Sequence, residues 1–135
     1  MPARLLRVTL PKLQSLAEPL RGRAACLFAW KRIPLDVAAF YLGAEQSPGS
    51  VRSEFQRIGL RSPDDVLCAA RLAQLFEAPD RNTAPLETLA DTHGFGTLRS
   101  LERRLKQAAD LTPRELRRAR DRDAYSRRLA SWLAR

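Results

Sequence analysis

The sequence contains few of the residues on which most catalytic and metal sites depend. Its 135 residues include a single histidine, His93, and two cysteines, Cys26 and Cys68, with no CxxC pair. No nucleophile, base and orienting group stand at suggestive spacings. His93 has no cysteine or carboxylate cluster beside it that would make it a metal ligand. We therefore expect no enzymatic activity, no metal and no cofactor.

Long apolar stretches are also missing. No run approaches the roughly 18 residues that a membrane-spanning helix needs, and no signal-peptide pattern is present. The two cysteines stand alone inside apolar segments, as they do in proteins of a reducing compartment. These absences favour a cytoplasmic location without a membrane partner.

Positive charge, in contrast, is abundant. The chain has 24 lysines and arginines against 15 acidic residues, a net charge of +9, and only three of the cations are lysines. The excess is +4 in residues 1–85 (12 cations, 8 anions) and +5 in residues 86–135 (12 cations, 7 anions), so there is no basic tail. Such an excess favours a polyanionic partner, which can be DNA, RNA or an anionic membrane surface.

Apolar spacing and capping residues predict an all-α chain. Residues 1–23 mix a strand-like stretch with prolines and receive no assignment. The predicted helices lie within residues 24–32, 35–43, 50–58, 62–79, 86–93, 96–106, 111–120 and 124–135. In the last of these helices, Leu129, Trp132 and Leu133 share one face.

The stretch "GFGTLRSLERRLK", residues 94–106, separates its leucines from its charges. On a helix, Leu98, Leu101 and Leu105 fall on one side. The charged side chains form a second stripe, which consists of Arg99, Glu102, Arg103 and Lys106. One face therefore suits a core, and the other suits an anion. Gly94 and Phe95 precede the helix as a corner and its apolar plug.

The chain also repeats itself. A shift of 50 superposes Val51 on Leu101, Phe55 on Leu105, Ser62 on Thr112 and Pro63 on Pro113. A shift of 51 superposes Leu35 on Leu86, Ala39 on Ala90 and Gly43 on Gly94. The repeats predict two copies of one unit, in which two helices meet at a glycine corner and a capped helix follows.

The second copy resembles the DNA-binding region of the AraC/XylS family of bacterial transcription regulators. That region has two helix-turn-helix units joined by a long helix, and its second unit follows the pattern I-A-x-x-x-G-F-x-S-x-x-x-F-x-R-x-F-K-x-x-x-G-x-T-P-x-x-Y-R. The residues here that follow it without a gap are Leu89, Ala90, Gly94, Phe95, Thr97, Leu101, Arg103, Leu105, Lys106, Asp110, Thr112, Pro113, Leu116 and Arg117. Arg71 falls where the family places an arginine in its linker helix. Leucines replace the aromatic positions 101 and 105, Asp110 stands where a glycine is usual, and Pro79 shortens the linker.

The resemblance implies a homeodomain-like, all-α fold with two helix-turn-helix subdomains joined by a linker helix. The implied segments are an unassigned N-terminal stretch (1–23), a degenerate first unit (24–61), the linker helix (62–79), the second unit (80–118) and a basic amphipathic C-terminal helix (119–135). The implied function is sequence-specific transcription regulation by insertion of recognition helices into the major groove of double-stranded DNA, on the bacterial nucleoid.

By position, the resemblance also implies which side chains meet DNA. The base-reading positions are Leu98, Arg99, Glu102 and Arg103 in the second unit and Gly49, Ser50, Arg52 and Ser53 in the first. The phosphate-contacting positions are Thr97, Arg104, Lys106, Thr112, Arg114 and Arg57. Arg99 lies in the first helical turn, where a guanidinium can take guanine O6 and N7 together. Leu98 can touch a thymine methyl, but burial is its alternative role because it borders the core stripe.

A second hypothesis belongs to another class of function. An interaction module can keep this fold without reading bases and can bind RNA polymerase or another regulator through its helices. The small side chains of the first unit and the helix that contains Trp132 favour this alternative. The operator, the direction of regulation and the oligomeric state stay open.

Overall fold

The computed structural model describes residues 47–134, and these residues form six helices and no strand. The helices are α1 (Pro48–Arg57), α2 (Pro63–Glu77), α3 (Leu86–Thr92), α4 (Leu98–Ala109), α5 (Pro113–Arg118) and α6 (Arg122–Leu133). The prediction of an all-α chain is confirmed for this part. No described helix is long and apolar enough to cross a bilayer. The unassigned stretch 1–23, the two helices predicted within 24–43 and the Gly43 corner lie outside the described residues.

Four helices begin at a hydroxyl side chain that accepts a hydrogen bond from the backbone N–H three residues later. These caps are Ser47 on α1, Ser62 on α2, Thr97 on α4 and Thr112 on α5. A proline follows three of the caps and occupies a first-turn position that needs no N–H donor. The predicted helix start at Ser62 is therefore confirmed, and α2 ends at Glu77 with Ala78 as its C-cap, directly before Pro79.

Two helices end with a backbone turn of the same kind. Gly59 follows α1 with φ 78°, and Asp110 follows α4 with φ 56°, so both residues adopt the left-handed conformation. The next residue, Leu60 in one case and Leu111 in the other, turns back onto the core. Asp110 is the only residue other than glycine with this conformation among the described residues, and a residue without Cβ adopts it at lower cost.

All six helices contribute to one hydrophobic cluster, with α2 near its centre. α2 packs against α1, α4 and α6, and its fully buried Leu67, Leu72 and Leu75 face these helices. Each such leucine contributes about 1.5–3 kcal/mol through burial. The C-terminal helix also packs against α4 and α2, with Leu129, Trp132 and Leu133 buried as predicted.

Polar contacts fix the two connections on either side of this core. Arg81, between α2 and α3, donates to the carbonyl of Ala119 at 3.1 Å and lies over the Phe76 ring at 4.2 Å. Arg117, at the end of α5, donates to the carbonyl of Ala84. These bonds anchor the loop that leads into α3, so the α3–α4 pair approaches α2 in one defined way.

Candidate nucleic-acid interface

The corner between α3 and α4 depends on two glycines. Gly94 has φ 86° and Gly96 has φ 79°, a backbone region that side chains with a Cβ rarely adopt. The N–H of Phe95, between them, donates to the carbonyl of Ala90 at 2.8 Å, and the Phe95 ring packs against the core. A Cβ on Gly94 would also stand 3.0 Å from Nε of Arg71 on α2. The corner thus fixes α4 against α3 and lies directly against α2.

The charged stripe of α4 is exposed, as the sequence predicts. Arg99, Glu102, Arg103 and Lys106 all lie on the solvent side, within an arc of about 100° at 100° per residue. The opposite side is buried and consists of Leu101, Leu105, Ala108 and Ala109. An open depression of about 630 Å³ lies beside the stripe and is lined by Thr97, Arg99, Ser100, Glu102 and Arg103.

The two arginines of this stripe stand one helical turn apart. Among residues 47–134, neither Arg99 nor Arg103 has an ion pair or hydrogen bond with another side chain, and Glu102 does not pair with either of them. Both side chains are exposed, so an anionic partner can bind these guanidinium groups without breaking a bond to another described side chain. The leucine side of α4 packs against the core, while no described residue covers the side that carries Arg99 and Arg103.

The predicted phosphate contacts at the two ends of α4 differ in their surroundings. Thr97 is exposed, and its Oγ1 accepts from the N–H of Ser100 at 3.1 Å, which leaves the hydroxyl proton as a donor. Lys106 Nζ lies 2.8 Å from Asp110 Oδ1 on the surface. The bond with Asp110 raises the pKa of Lys106, and the bond with Lys106 lowers the pKa of Asp110. An exposed pair of this kind costs little to exchange for a phosphate.

Arg104 lies outside the exposed charged stripe of α4. Its side chain is only 19% exposed, and its NH2 atom lies 3.2 Å from Asp65 and 3.3 Å from Asp64, both on α2. Its guanidinium carbon is 5.8 Å from the centre of the Trp132 ring. Its guanidinium already contacts two carboxylates. This placement argues against the predicted contact of Arg104 with a phosphate.

Leu98 lies half-buried at the edge of the stripe. It borders an apolar groove together with Leu86, Leu111 and Pro113, and it packs against the core. Its side chain is therefore shared between packing and the surface, which is the alternative that its position in the sequence leaves open. The contact with a thymine methyl stays a prediction.

The start of α5 is already occupied by its own capping box. Thr112 N–H donates to Glu115 Oε1 at 3.0 Å, and Glu115 N–H donates to Thr112 Oγ1 at 3.2 Å. The backbone bond from Thr112 is the main reason that the pKa of Glu115 is lowered. A phosphate would meet this carboxylate, so the Thr112 amide is a poor contact. The neighbouring Arg114 is exposed and remains the better donor.

α1 repeats α4 with smaller side chains. Val51 and Phe55 are fully buried, at the places of Leu101 and Leu105 fifty residues later. Its outer side presents Gly49, Ser50, Arg52, Ser53 and Arg57, all exposed. Arg57 lies 2.9 Å from Glu54 in a surface ion pair. Only Arg52 therefore offers a free cation there among the described residues.

His93 lies at the C-terminus of α3, half-buried. Burial lowers its pKa, with Asp80 acting in the opposite direction. No group of three metal-ligating side chains occurs within residues 47–134. The sequence did not indicate that Arg61 and Arg104, from segments far apart in the chain, both contact the Trp132 ring.

Comparisons with known proteins return no relative: no protein-family model, no curated protein and no solved structure matches this chain. The likeness to AraC/XylS regulators accordingly depends on the residues of the second unit themselves. What the geometry adds is the arrangement of those residues in space, with the leucines inward and Arg99 and Arg103 outward.

Proposed function

We propose that this protein is a sequence-specific DNA-binding transcription regulator of the AraC/XylS type. In this proposal α3 and α4 form a helix-turn-helix unit, and α4 enters the major groove with its charged stripe toward the bases. A protein with this function acts on the bacterial nucleoid, in the cytoplasm. The observation that supports it best is the exposure of Arg99 and Arg103 on a helix whose other side is fully buried.

Each side chain of the stripe has a chemical role in this complex. Arg99, in the first turn of α4, donates two parallel hydrogen bonds to guanine O6 and N7. Arg103 reads a base one turn further along, and Glu102 accepts from the amino group of a cytosine. Thr97, Lys106 and Arg114 contact phosphates at the rim, where they set the register of the helix on the duplex.

The first unit contributes differently. Residues 24–61 form a degenerate helix-turn-helix in this proposal, with α1 as its DNA-facing helix. α1 presents mainly small side chains, so Arg52 and Ser50 make its contacts and Arg57 holds a phosphate once its surface pair with Glu54 opens. α2, with 15 residues, spans about 22 Å at 1.5 Å per residue. The two units then occupy neighbouring major-groove segments about 34 Å apart.

The alternative function, a protein-interaction module, is less well supported because the Trp132 side chain is buried. Trp132 is 7% exposed and its ring contacts Arg104 of α4 and Arg61, so it does not offer an aromatic docking surface. The small residues of α1 still fit that alternative. The salt dependence of binding to random duplexes separates the two functions, because affinity for DNA falls steeply as counterions compete.

The decisive experiment is selection of bound sequences from a random pool of duplex DNA. We expect the full chain to enrich one motif, and the variant Arg99→Ala/Arg103→Ala to retain weak, salt-sensitive binding without a motif. The matched control is Arg120→Ala/Arg127→Ala, which removes the same charge from exposed positions outside the stripe. The control should enrich the wild-type motif. Enrichment of that motif by all three chains, or by none, would overturn the proposal.

A further inference from the structure

Arg104 lies at the flank of α4, between the exposed stripe and the buried leucines. Two carboxylates from the first turn of α2 share its guanidinium: Asp65 Oδ1 at 3.2 Å and Asp64 Oδ2 at 3.3 Å. Arg104 and Asp65 are each 19% exposed, so water screens this contact only in part. Both contacts are made by the NH2 atom, so this one nitrogen ties α4 to the first turn of α2.

Trp132, near the end of α6, joins the same cluster. The guanidinium carbons of Arg61 and Arg104 lie 5.0 Å and 5.8 Å from the centre of its ring. Arg61 also donates from Nε to the Trp132 carbonyl at 2.7 Å, and its backbone N–H donates to the Leu133 carbonyl at 2.9 Å. We call Arg61, Asp64, Asp65, Arg104 and Trp132 the arginine clamp.

The arginine clamp joins three parts of the chain at one point. Arg61 lies in the short connection between α1 and α2, the two aspartates begin α2, and Arg104 stands in the middle of α4. α6 covers the junction with Trp132. Because Arg61 stands four residues after the end of α1, the arginine clamp connects that end of α1 to α4.

We propose that Arg104 is a positioning residue, which fixes α4 relative to α1 through the arginine clamp and so sets the spacing of the two DNA segments that the protein reads. The proposal rests on the DNA-binding function above. Two helices that meet the duplex together bind more tightly when their separation is fixed beforehand, because the second contact then forms at a high effective concentration. Arg104 supports that separation without touching DNA.

The first test needs no DNA. Spin labels on Gln56→Cys in α1 and Gln107→Cys in α4, both exposed positions, report the distance between the helices. Cys26→Ser and Cys68→Ala remove both native thiols from every variant, because Cys68 lies beside Arg104 and its burial depends on that side chain. We expect a narrow distance distribution in the parent chain and in the charge-matched control Arg127→Met. Both Arg104→Met and Asp64→Asn/Asp65→Asn should broaden it, and distributions as narrow as the parent's in these two variants would overturn the proposal.

The second test uses the selected DNA motif. Arg104→Met should lower affinity about three- to thirtyfold, in the range by which non-contact residues change coupling, and should weaken the preference for one spacing. The slope of log affinity against log salt should stay unchanged, whereas loss of a phosphate contact lowers it by about one. Asp64→Asn/Asp65→Asn keeps the arginine and should weaken binding in the same way.

Two results would contradict a positioning role. A salt slope reduced by about one in Arg104→Met, or tighter binding after Asp64→Asn/Asp65→Asn frees the guanidinium, would make Arg104 a phosphate contact. If the parent chain binds no DNA, the proposed function fails, while the distance measurement still decides whether the clamp holds α1 and α4 in place.

Discussion

Ser47 and Thr97 stand fifty residues apart and cap α1 and α4 in the same way. Ser47 Oγ accepts from the N–H of Ser50 at 3.2 Å, and Thr97 Oγ1 accepts from the N–H of Ser100 at 3.1 Å. Both helices then bury apolar side chains at matching places and end in a left-handed residue. The described half of the internal repeat therefore has a structural counterpart as well as a sequence match.

Loss of either cap should destabilise the fold by a similar amount. Ser47→Ala and Thr97→Ala each leave one first-turn N–H without its side-chain acceptor, at a cost of about 1 kcal/mol. Urea unfolding followed by circular dichroism measures both changes. Thr97→Ser keeps the acceptor and should behave like the parent chain. A neutral Thr97→Ala would mean that the cap contributes nothing to α4.

Features that depend on a few neighbouring residues could be predicted from the sequence. The capping box of Thr112 and Glu115 spans three residues, and the inward face of Leu101 and Leu105 follows from helical period alone. The start of α2 at Ser62 and Pro63 is equally local. Each of these features depends only on local backbone geometry and not on which other segments pack against the helix.

The Gly94 corner should not tolerate a side chain. Gly94→Ala places a Cβ in a left-handed conformation and 3.0 Å from Arg71 Nε, so we expect a loss of about 1–3 kcal/mol in the free energy of unfolding. Gly49→Ala is the matched control, because Gly49 lies in α1 with nothing within 4 Å of a new Cβ. It should stabilise the protein by about 0.4–1 kcal/mol. Equal effects at both positions would contradict the geometry of the corner.

Long-range contacts were beyond sequence reasoning. The charge of Arg104 resembles that of its neighbours, and only the folded chain brings it to Asp64 and Asp65, forty residues earlier. The sequence predicts that Trp132 lies on an apolar helix face, which the structure confirms. It does not predict the partners of the ring, Arg61 and Arg104, which come from two other segments. The helical period predicts on which face of its own helix a residue lies. It does not predict which other helix packs against that face.

Stability should fall on the alkaline side in two steps. Burial raises the pKa of the Cys68 thiol from 9.0 to about 11, and burial also raises the pKa of Tyr125 above its ordinary value of 10.0. The unfolded chain loses these protons first, so stability is complete below pH 9 and declines as pH rises, by about 1.4 kcal/mol per unit for each group. Urea unfolding across this range should show a flatter decline from pH 9 for Cys68→Ala and from pH 10 for Tyr125→Phe. If the free energy of unfolding of both variants falls with pH as steeply as that of the parent chain, the burial of these two groups would be contradicted.

Glu102 should restrain binding to unrelated DNA. Its carboxylate is exposed at one edge of the charged stripe, and in the proposed complex it repels phosphates unless a cytosine amino group satisfies it. Glu102→Gln should therefore raise affinity for random duplexes and reduce discrimination at one base pair by about 1–3 kcal/mol. Competition binding with single-base variants of the selected motif measures both. Glu87→Gln, an exposed carboxylate of α3, is the control and should leave discrimination intact.

The most direct test of the account is a double-mutant cycle between Arg99 and the guanine that it is proposed to read. Affinities are measured for the parent chain and Arg99→Ala, each on the selected motif and on duplexes in which one guanine at a time is replaced by 7-deazaguanine, which lacks the N7 acceptor. At one position the two changes should each cost about 1–3 kcal/mol and together cost little more than either alone. Losses that add at every guanine would contradict the insertion of α4 into the major groove with Arg99 against a base.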